Sequence, residues 1–118
     1  MDKHFSQRLF DLSDRVAFVT GAGSGIGQMI AYGFASAGAK VACFDLREDG
    51  GLLETVSTIQ EMGGNAFAYT GDVRDIAHLR AAIAEVKTRF GRLDVALNAA
   101  GIANANPALE MEPDQWQR

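Results

Sequence analysis

One cysteine, Cys43, stands in the whole chain, which excludes an internal disulfide and any cysteine-rich metal site and fits a reducing compartment. Its expected place is the core of a strand. Basic residues are in slight deficit, 11 Lys and Arg against 15 Asp and Glu, for a net charge of −4, so no basic field recruits nucleic acid or an anionic membrane. No apolar run is long enough to span a bilayer, and Met1 to Ser13 alternates charge with phenylalanine instead of forming the apolar centre of a signal peptide. A cytoplasmic protein without nucleic-acid or membrane partners is expected. Repeats and low-complexity segments are absent, and the two histidines, His4 and His78, lack partners at metal or nucleophile spacing, which makes both surface residues and leaves no metal site. With 118 residues, 47% of them hydrophobic and 22% charged, the chain has room for one globular domain or part of one.

Within that sparse background one segment is dense. Thr20 to Gly27 reads Thr-Gly-Ala-Gly-Ser-Gly-Ile-Gly, after an apolar run and before an amphipathic one, which places a glycine turn at a strand-to-helix corner. Glycines admit positive φ and carry no Cβ, so a phosphate can approach main-chain N–H groups at the positive end of a helix. The spacing is not G-x-G-x-x-G: counted from Gly21 the third glycine falls on Ile26, and from Gly23 on Gln28. It is Gly21-x3-Gly25-x-Gly27. No Gly-Lys-Ser/Thr follows, so a nucleoside-triphosphate loop of the Walker type is excluded.

Four short apolar runs, Val16 to Thr20, Val41 to Asp45, Ala66 to Thr70 and Leu93 to Leu97, predict buried strands. Helical periods lie between them. Ile26, Ile30, Phe34 and Ala37 define one apolar face ending at Gly38; Leu52, Val56, Ile59 and Met62 define a second before Gly63; Ile76, Leu79, Ile83, Val86 and Phe90 define a third, opened by Asp75 as N-cap and closed by Gly91. Strict alternation of strand and helix predicts an α/β fold, a doubly wound parallel sheet of Rossmann type with its first four strands in the order 3-2-1-4. Residues 1–13 form an N-terminal arm and 14–118 the dinucleotide-binding domain. In that order the fourth strand is an edge that is apolar on both faces. Asn104, Asn106 and Pro107 follow in a loop, Pro113 opens a helix, and Arg118 comes barely a turn later, so the domain is expected to be truncated at its C-terminal end.

Ligands of such sheets sit beyond the carboxyl ends of the strands, where the strand order reverses. Asp45 ends the second strand, at roughly the distance after the glycines where an acid accepts ribose hydroxyls. As an anion it repels a 2′-phosphate and favours NAD(H) over NADP(H); Arg47 would serve a 2′-phosphate only if Asp45 turned away. The competing role of Asp45 is a solvated turn acid. Asp72 follows the third strand, positioned to accept from an adenine amino group beside the Val73 main chain, or else to cap the next helix. Asn98 ends the fourth strand, either tying strands together or approaching a ligand, with Ala99 and Ala100 leaving space.

Together, Thr20-Gly21-x3-Gly25-Ile26-Gly27, Asp45, Asp72-Val73 and Asn98-Ala99-Ala100-Gly101 resemble the short-chain dehydrogenase/reductase family over nearly the whole chain. Phe90 to Asp94 and Asp114 to Trp116 look like family segments as well. Ala99 departs from the usual second Asn, and Asp14 stands where many members have Gly. The resemblance implies an NAD(P)(H)-dependent oxidoreductase, dimeric or tetrameric, that moves hydride between nicotinamide and an alcohol or carbonyl substrate. It implies cofactor contacts at Gly21, Ser24, Gly25, Ile26, Gly27, Asp45, Leu46, Asp72, Val73, Asn98, Ala99, Ala100 and Gly101. The family's catalytic Ser, Tyr and Lys, the Lys four residues after the Tyr, have no counterpart: Tyr32 is followed four residues later by Ser36 and Tyr69 by Val73. No catalytic residue is therefore assigned, the family's catalytic Asn would fall just past Arg118, and the 118-residue piece is expected to be inactive alone. Two other readings share the adenosine-binding physics: an S-adenosylmethionine-dependent methyltransferase, and a nucleotide-binding module without catalysis.

Overall fold

The computed structural model describes residues 11–48 and 50–99; most of the expected arm, His4, Ala100, Gly101 and the loop and helix start expected from Asn104 to Arg118 lie outside them. Four strands and three helices alternate: β1 (Val16–Thr20), α1 (Gly25–Ser36), β2 (Lys40–Asp45), α2 (Gly50–Glu61), β3 (Ala66–Thr70), α3 (Ile76–Phe90) and β4 (Val95–Asn98). All pairings are parallel, in the predicted order β3-β2-β1-β4. Val19 stands opposite Cys43 and Leu97, and Thr20 opposite Phe44 and Asn98, so the carboxyl ends of β1, β2 and β4 come level.

Alternate residues of each strand enter alternate faces, as the two-residue repeat of a strand dictates. Val19, Val41 and Cys43 pack with Ala31 of α1 and with Leu52 and Ile59 of α2. Val16, Phe18, Ala42, Phe44 and Phe67 pack with Ala82 and Val86 of α3. Helices on both sides explain why β1 is buried at every position and reads as an unbroken apolar run. Leu52 and Ile59, both without solvent exposure, each contribute roughly 1.5–3 kcal/mol relative to leaving them in water. Cys43 is a core residue as expected, its thiol pushed up to about 12 by burial.

The helix ends follow their sequence signals. Asp75 accepts hydrogen bonds from the Ala77 and His78 amides, and Gly91, at φ 82°, closes α3 by donating its N–H to the Lys87 carbonyl. The helix faces differ from expectation at three positions: Ile26, Ile76 and Met62 are 74%, 64% and 47% exposed. Gly27 and Ala31 are the buried residues of α1, whose inner line leaves space for small side chains, while Ala82 and Val86 are those of α3 and Leu52, Thr55 and Ile59 those of α2.

The fourth strand begins at Val95, two residues later than its apolar run suggests. Asp94 pairs with Val16 through both main chain and side chain: its N–H donates to the Val16 carbonyl at 3.0 Å, and its Oδ2 accepts the Val16 N–H at 2.9 Å, where a parallel ladder would use a main-chain carbonyl. Arg92 at 2.6 Å and Arg15 at 3.6 Å flank this carboxylate and, together with the Val16 amide, hold its pKa below the usual carboxylate range.

Just before β1, Asp14 has φ 66°, the left-handed region that costs an L-residue energy. Asp14→Gly is therefore expected to raise folding stability by roughly 0.5–1 kcal/mol in urea denaturation, and an unchanged or lower midpoint would show that the Asp14 side chain offsets its backbone strain.

Candidate functional site

The turn from β1 into α1 is held by contacts that only glycine permits. A Cβ on Gly27 would lie 2.1 Å from the Gly21 carbonyl oxygen and 3.2 Å from the Ala99 Cβ, and one on Gly23 would lie 2.7 Å from Asp45 Oδ2 and 3.1 Å from the Leu52 amide nitrogen. Gly21 and Gly25 take φ of 66° and 55°, with open space around Gly25. Between them Ala22 is buried, its N–H donated to the Phe44 carbonyl at 3.2 Å. Ser24 begins α1 in extended geometry, makes no side-chain capping bond, and is followed by a first turn without an acid. Exposed Ser24, Gly25 and Ile26 thus front a helix start whose amides and positive dipole end suit an anion.

Asp45, half-buried at the end of β2, reaches into this corner. Its Oδ2 accepts the Gly23 N–H at 2.8 Å and its Oδ1 the Leu46 N–H at 2.7 Å. It is thus tied to the glycine turn, and each oxygen keeps a second acceptor position. The Gly21, Gly25, Gly27 pattern passes over Gly23, whose signal in the sequence is its place in the alternating Gly-x-Gly-x-Gly run.

At the end of β3, Asp72 is gripped by its own neighbour. Arg74 donates from Nε at 3.1 Å, from Nη2 at 2.9 Å and from its main-chain N–H at 2.9 Å. These hydrogen bonds pull the Asp72 pKa down to about 2. The capping alternative for Asp72 does not hold, since Asp75 caps α3. His78 is at the surface as expected, but it has a partner: its Nδ1 accepts the Asp72 N–H at 3.0 Å. Val73 packs partly buried against the α3 face.

Asn98 Oδ1 accepts the Thr20 hydroxyl at 2.7 Å, tying the ends of β1 and β4, and Ala99 sits beside Gly27. The glycine turn, Asp45 with Leu46, Asp72 with Val73, and Asn98 with Ala99 therefore all stand at the carboxyl ends of the four strands, with the order reversing between β1 and β4. Among the described residues no group of three His, Cys, Asp or Glu could hold a metal ion, and no helix is long and apolar enough to cross a membrane.

The sequence model for short chain dehydrogenases matches residues 15–118. The chain belongs to that family. It is 41% identical over 110 residues to D-threitol dehydrogenase of Mycolicibacterium smegmatis, a match covering 91% of this chain and 41% of that protein. Among solved structures, a dehydrogenase/reductase from Sinorhizobium meliloti superimposes with TM-score 0.84 at 34% identity, covering 96% of this chain and 45% of that one. A hydroxysteroid dehydrogenase from Escherichia coli gives TM-score 0.78 at 36% identity over 87% of this chain and 43% of that one. The chain thus spans about two fifths of the length of these relatives.

Two measurements test this geometry. Alanine at Gly27, Gly23 and Gly25 should lower stability in that descending order, with Gly23→Ala costing about 1–3 kcal/mol through overpacking against Asp45 and α2; urea denaturation that ranks Gly25→Ala worst would contradict it. Asp72, depressed from 3.8 to about 2, contributes stability in full above its unfolded pKa and loses it as pH falls toward its folded one. Between about pH 4 and 2 the thermal midpoint of Asp72→Asn should consequently fall less steeply than that of the unsubstituted chain.

Proposed function

We propose that this chain supplies the cofactor-binding part of an NAD(H)-dependent oxidoreductase that interconverts an alcohol and a carbonyl compound. The observation carrying this reading is the Asp45 carboxylate, fixed at 2.8 Å from the Gly23 amide at the end of β2. Its remaining acceptor positions suit the two hydroxyls of an adenosine ribose, and its charge opposes a 2′-phosphate. The amides from Ser24 to Gly27, at the start of α1, hold the diphosphate; Asp72 and Val73 border the adenine; Asn98 and Ala99, at the end of β4, border the remainder.

Bound in this way, a nicotinamide dinucleotide supplies a hydride donor or acceptor. The residues of this chain bind and orient. Proton transfer to or from the substrate oxygen belongs to the Ser, Tyr and Lys of the family, where a nearby cation brings a phenol of pKa about 10 into the working range, and these 118 residues hold no Tyr-x3-Lys. In the whole protein we infer a small alcohol or carbonyl substrate, a dimer or tetramer, and a cytoplasmic location. The relation to D-threitol dehydrogenase favours a polyol or another secondary alcohol.

Titration with NADH, NADPH and S-adenosylmethionine tests the reading, with NADH expected to bind tightest; preference for either competitor would reject it. Asp45→Ala should weaken NADH by about 1–3 kcal/mol and narrow the gap to NADPH. Asp45→Asn, which keeps an acceptor for the Gly23 amide, should narrow that gap with a smaller loss of NADH.

A further inference from the structure

Thr55 has no solvent exposure and shares the buried side of α2 with Leu52 and Ile59, which pack against the sheet. A hydroxyl in an apolar layer is destabilising unless its hydrogen-bonding capacity is used. Here one proton is shared between two carbonyls and the oxygen accepts one bond. Thr55 Oγ1 lies 2.9 Å from the Gly51 carbonyl one turn back, 2.8 Å from the Ala22 carbonyl, and 3.0 Å from Gln28 Nε2, which donates to it. The bond to Gly51 is the ordinary one for a helical threonine and would satisfy the hydroxyl alone. The other two reach the glycine turn and the first turns of α1.

The Ala22 carbonyl and the Gly23 N–H are opposite ends of one planar peptide group. Thr55 holds the carbonyl end at 2.8 Å, the shorter arm of its shared bond, and Asp45 holds the amide end at 2.8 Å, so rotation of this plane breaks at least one of these contacts. The next peptide, which carries the Ser24 amide, starts from the Gly23 Cα at the end of this plane, so a fixed plane fixes the point from which the Ser24 and Gly25 amides are laid down. We propose that Thr55 is a positioning residue for the dinucleotide diphosphate, acting through the Ala22–Gly23 peptide and supported from α1 by Gln28. The proposal rests on the dinucleotide reading of the site.

Thr55→Val removes the hydroxyl at nearly constant shape, and Thr55→Ser restores it. NADH and adenosine, which lacks the diphosphate, are titrated against each variant, with far-UV circular dichroism to establish folding. Thr55→Val should raise the NADH Kd about five- to tenfold, the loss of about one hydrogen bond, and leave adenosine within about twofold, with Thr55→Ser near the unsubstituted chain for both. NADH binding unchanged in Thr55→Val, or an equal loss of NADH and adenosine, overturns the proposal. If Thr55→Val does not fold, Gln28→Leu decides: roughly two- to threefold weaker NADH with adenosine unaffected supports it, and no change overturns it. Failure of the unsubstituted chain to bind either ligand would instead reject the dinucleotide reading, and this proposal with it.

Discussion

The approach of Gly27 to the Gly21 carbonyl, close enough that a Cβ would stand 2.1 Å from the oxygen, sets the geometry of one whole side of the molecule. Because the first turn of α1 must lie against the turn that precedes it, the inner line of this helix continues with Ala31, and α1 is drawn close to the sheet. Its start is thereby pointed at the ends of the strands. The same closeness brings Ala99, just after β4, beside Gly27, so the reversal of strand order falls at the mouth of the glycine turn. The phosphate site proposed at this place would rest on close packing and the direction of a helix, with no cationic side chain needed to build it.

Charge is handled differently at each strand end, and this is where ligand choice can arise. Asp72 is matched by the Arg74 guanidinium, so its corner carries little net charge. Asp94, at the opposite end of the sheet, is matched by Arg92 and Arg15 and serves to start β4. Asp45 is bonded to two main-chain amides, which orient it without neutralising it. Among the described residues no ion pair joins it to Arg47. Of these three acids Asp45 is thus the one whose charge is not matched by a cation, and it stands where the proposed cofactor would differ between a ribose hydroxyl and a 2′-phosphate.

Most of this architecture was legible in the sequence because it is written in periods and end signals. The strands read as apolar runs, Asp75 and Gly91 carry the chemistry of a cap and a left-handed stop, and alternation alone dictates a parallel sheet with helices on both faces. What escaped depends on distances that no period encodes. Ile26 and Ile76 fit a helical stripe, yet they face outward, with Gly27 and Ala31 on the inner line of α1 and Ala82 and Val86 on that of α3. Thr55 is polar and sits in an apolar stripe, so only its three partners reveal it. Asp94 shortens β4 by bonding through its side chain, a choice that strand propensity cannot express.

The two faces of the sheet are also built from different side chains. Two helices press on the face that bears Val19, Val41 and Cys43, and the residues there are short. On the other face α3 is the helix among the described residues, and rings fill the width it leaves: Phe18 lies 5.6 Å from Phe44, and Phe44 stacks on Tyr69 at 6.2 Å across β1, β2 and β3. That row of rings reaches the candidate site. A Cβ on Gly71 would stand 2.8 Å from the Phe44 ring, so the residue that leads from β3 to Asp72 must be the smallest available. The position of Asp72 is fixed from below by aromatic packing and from the side by Arg74 and His78. The core thus determines where an acid stands at the edge of the site, as it does for Asp45 through the glycine turn.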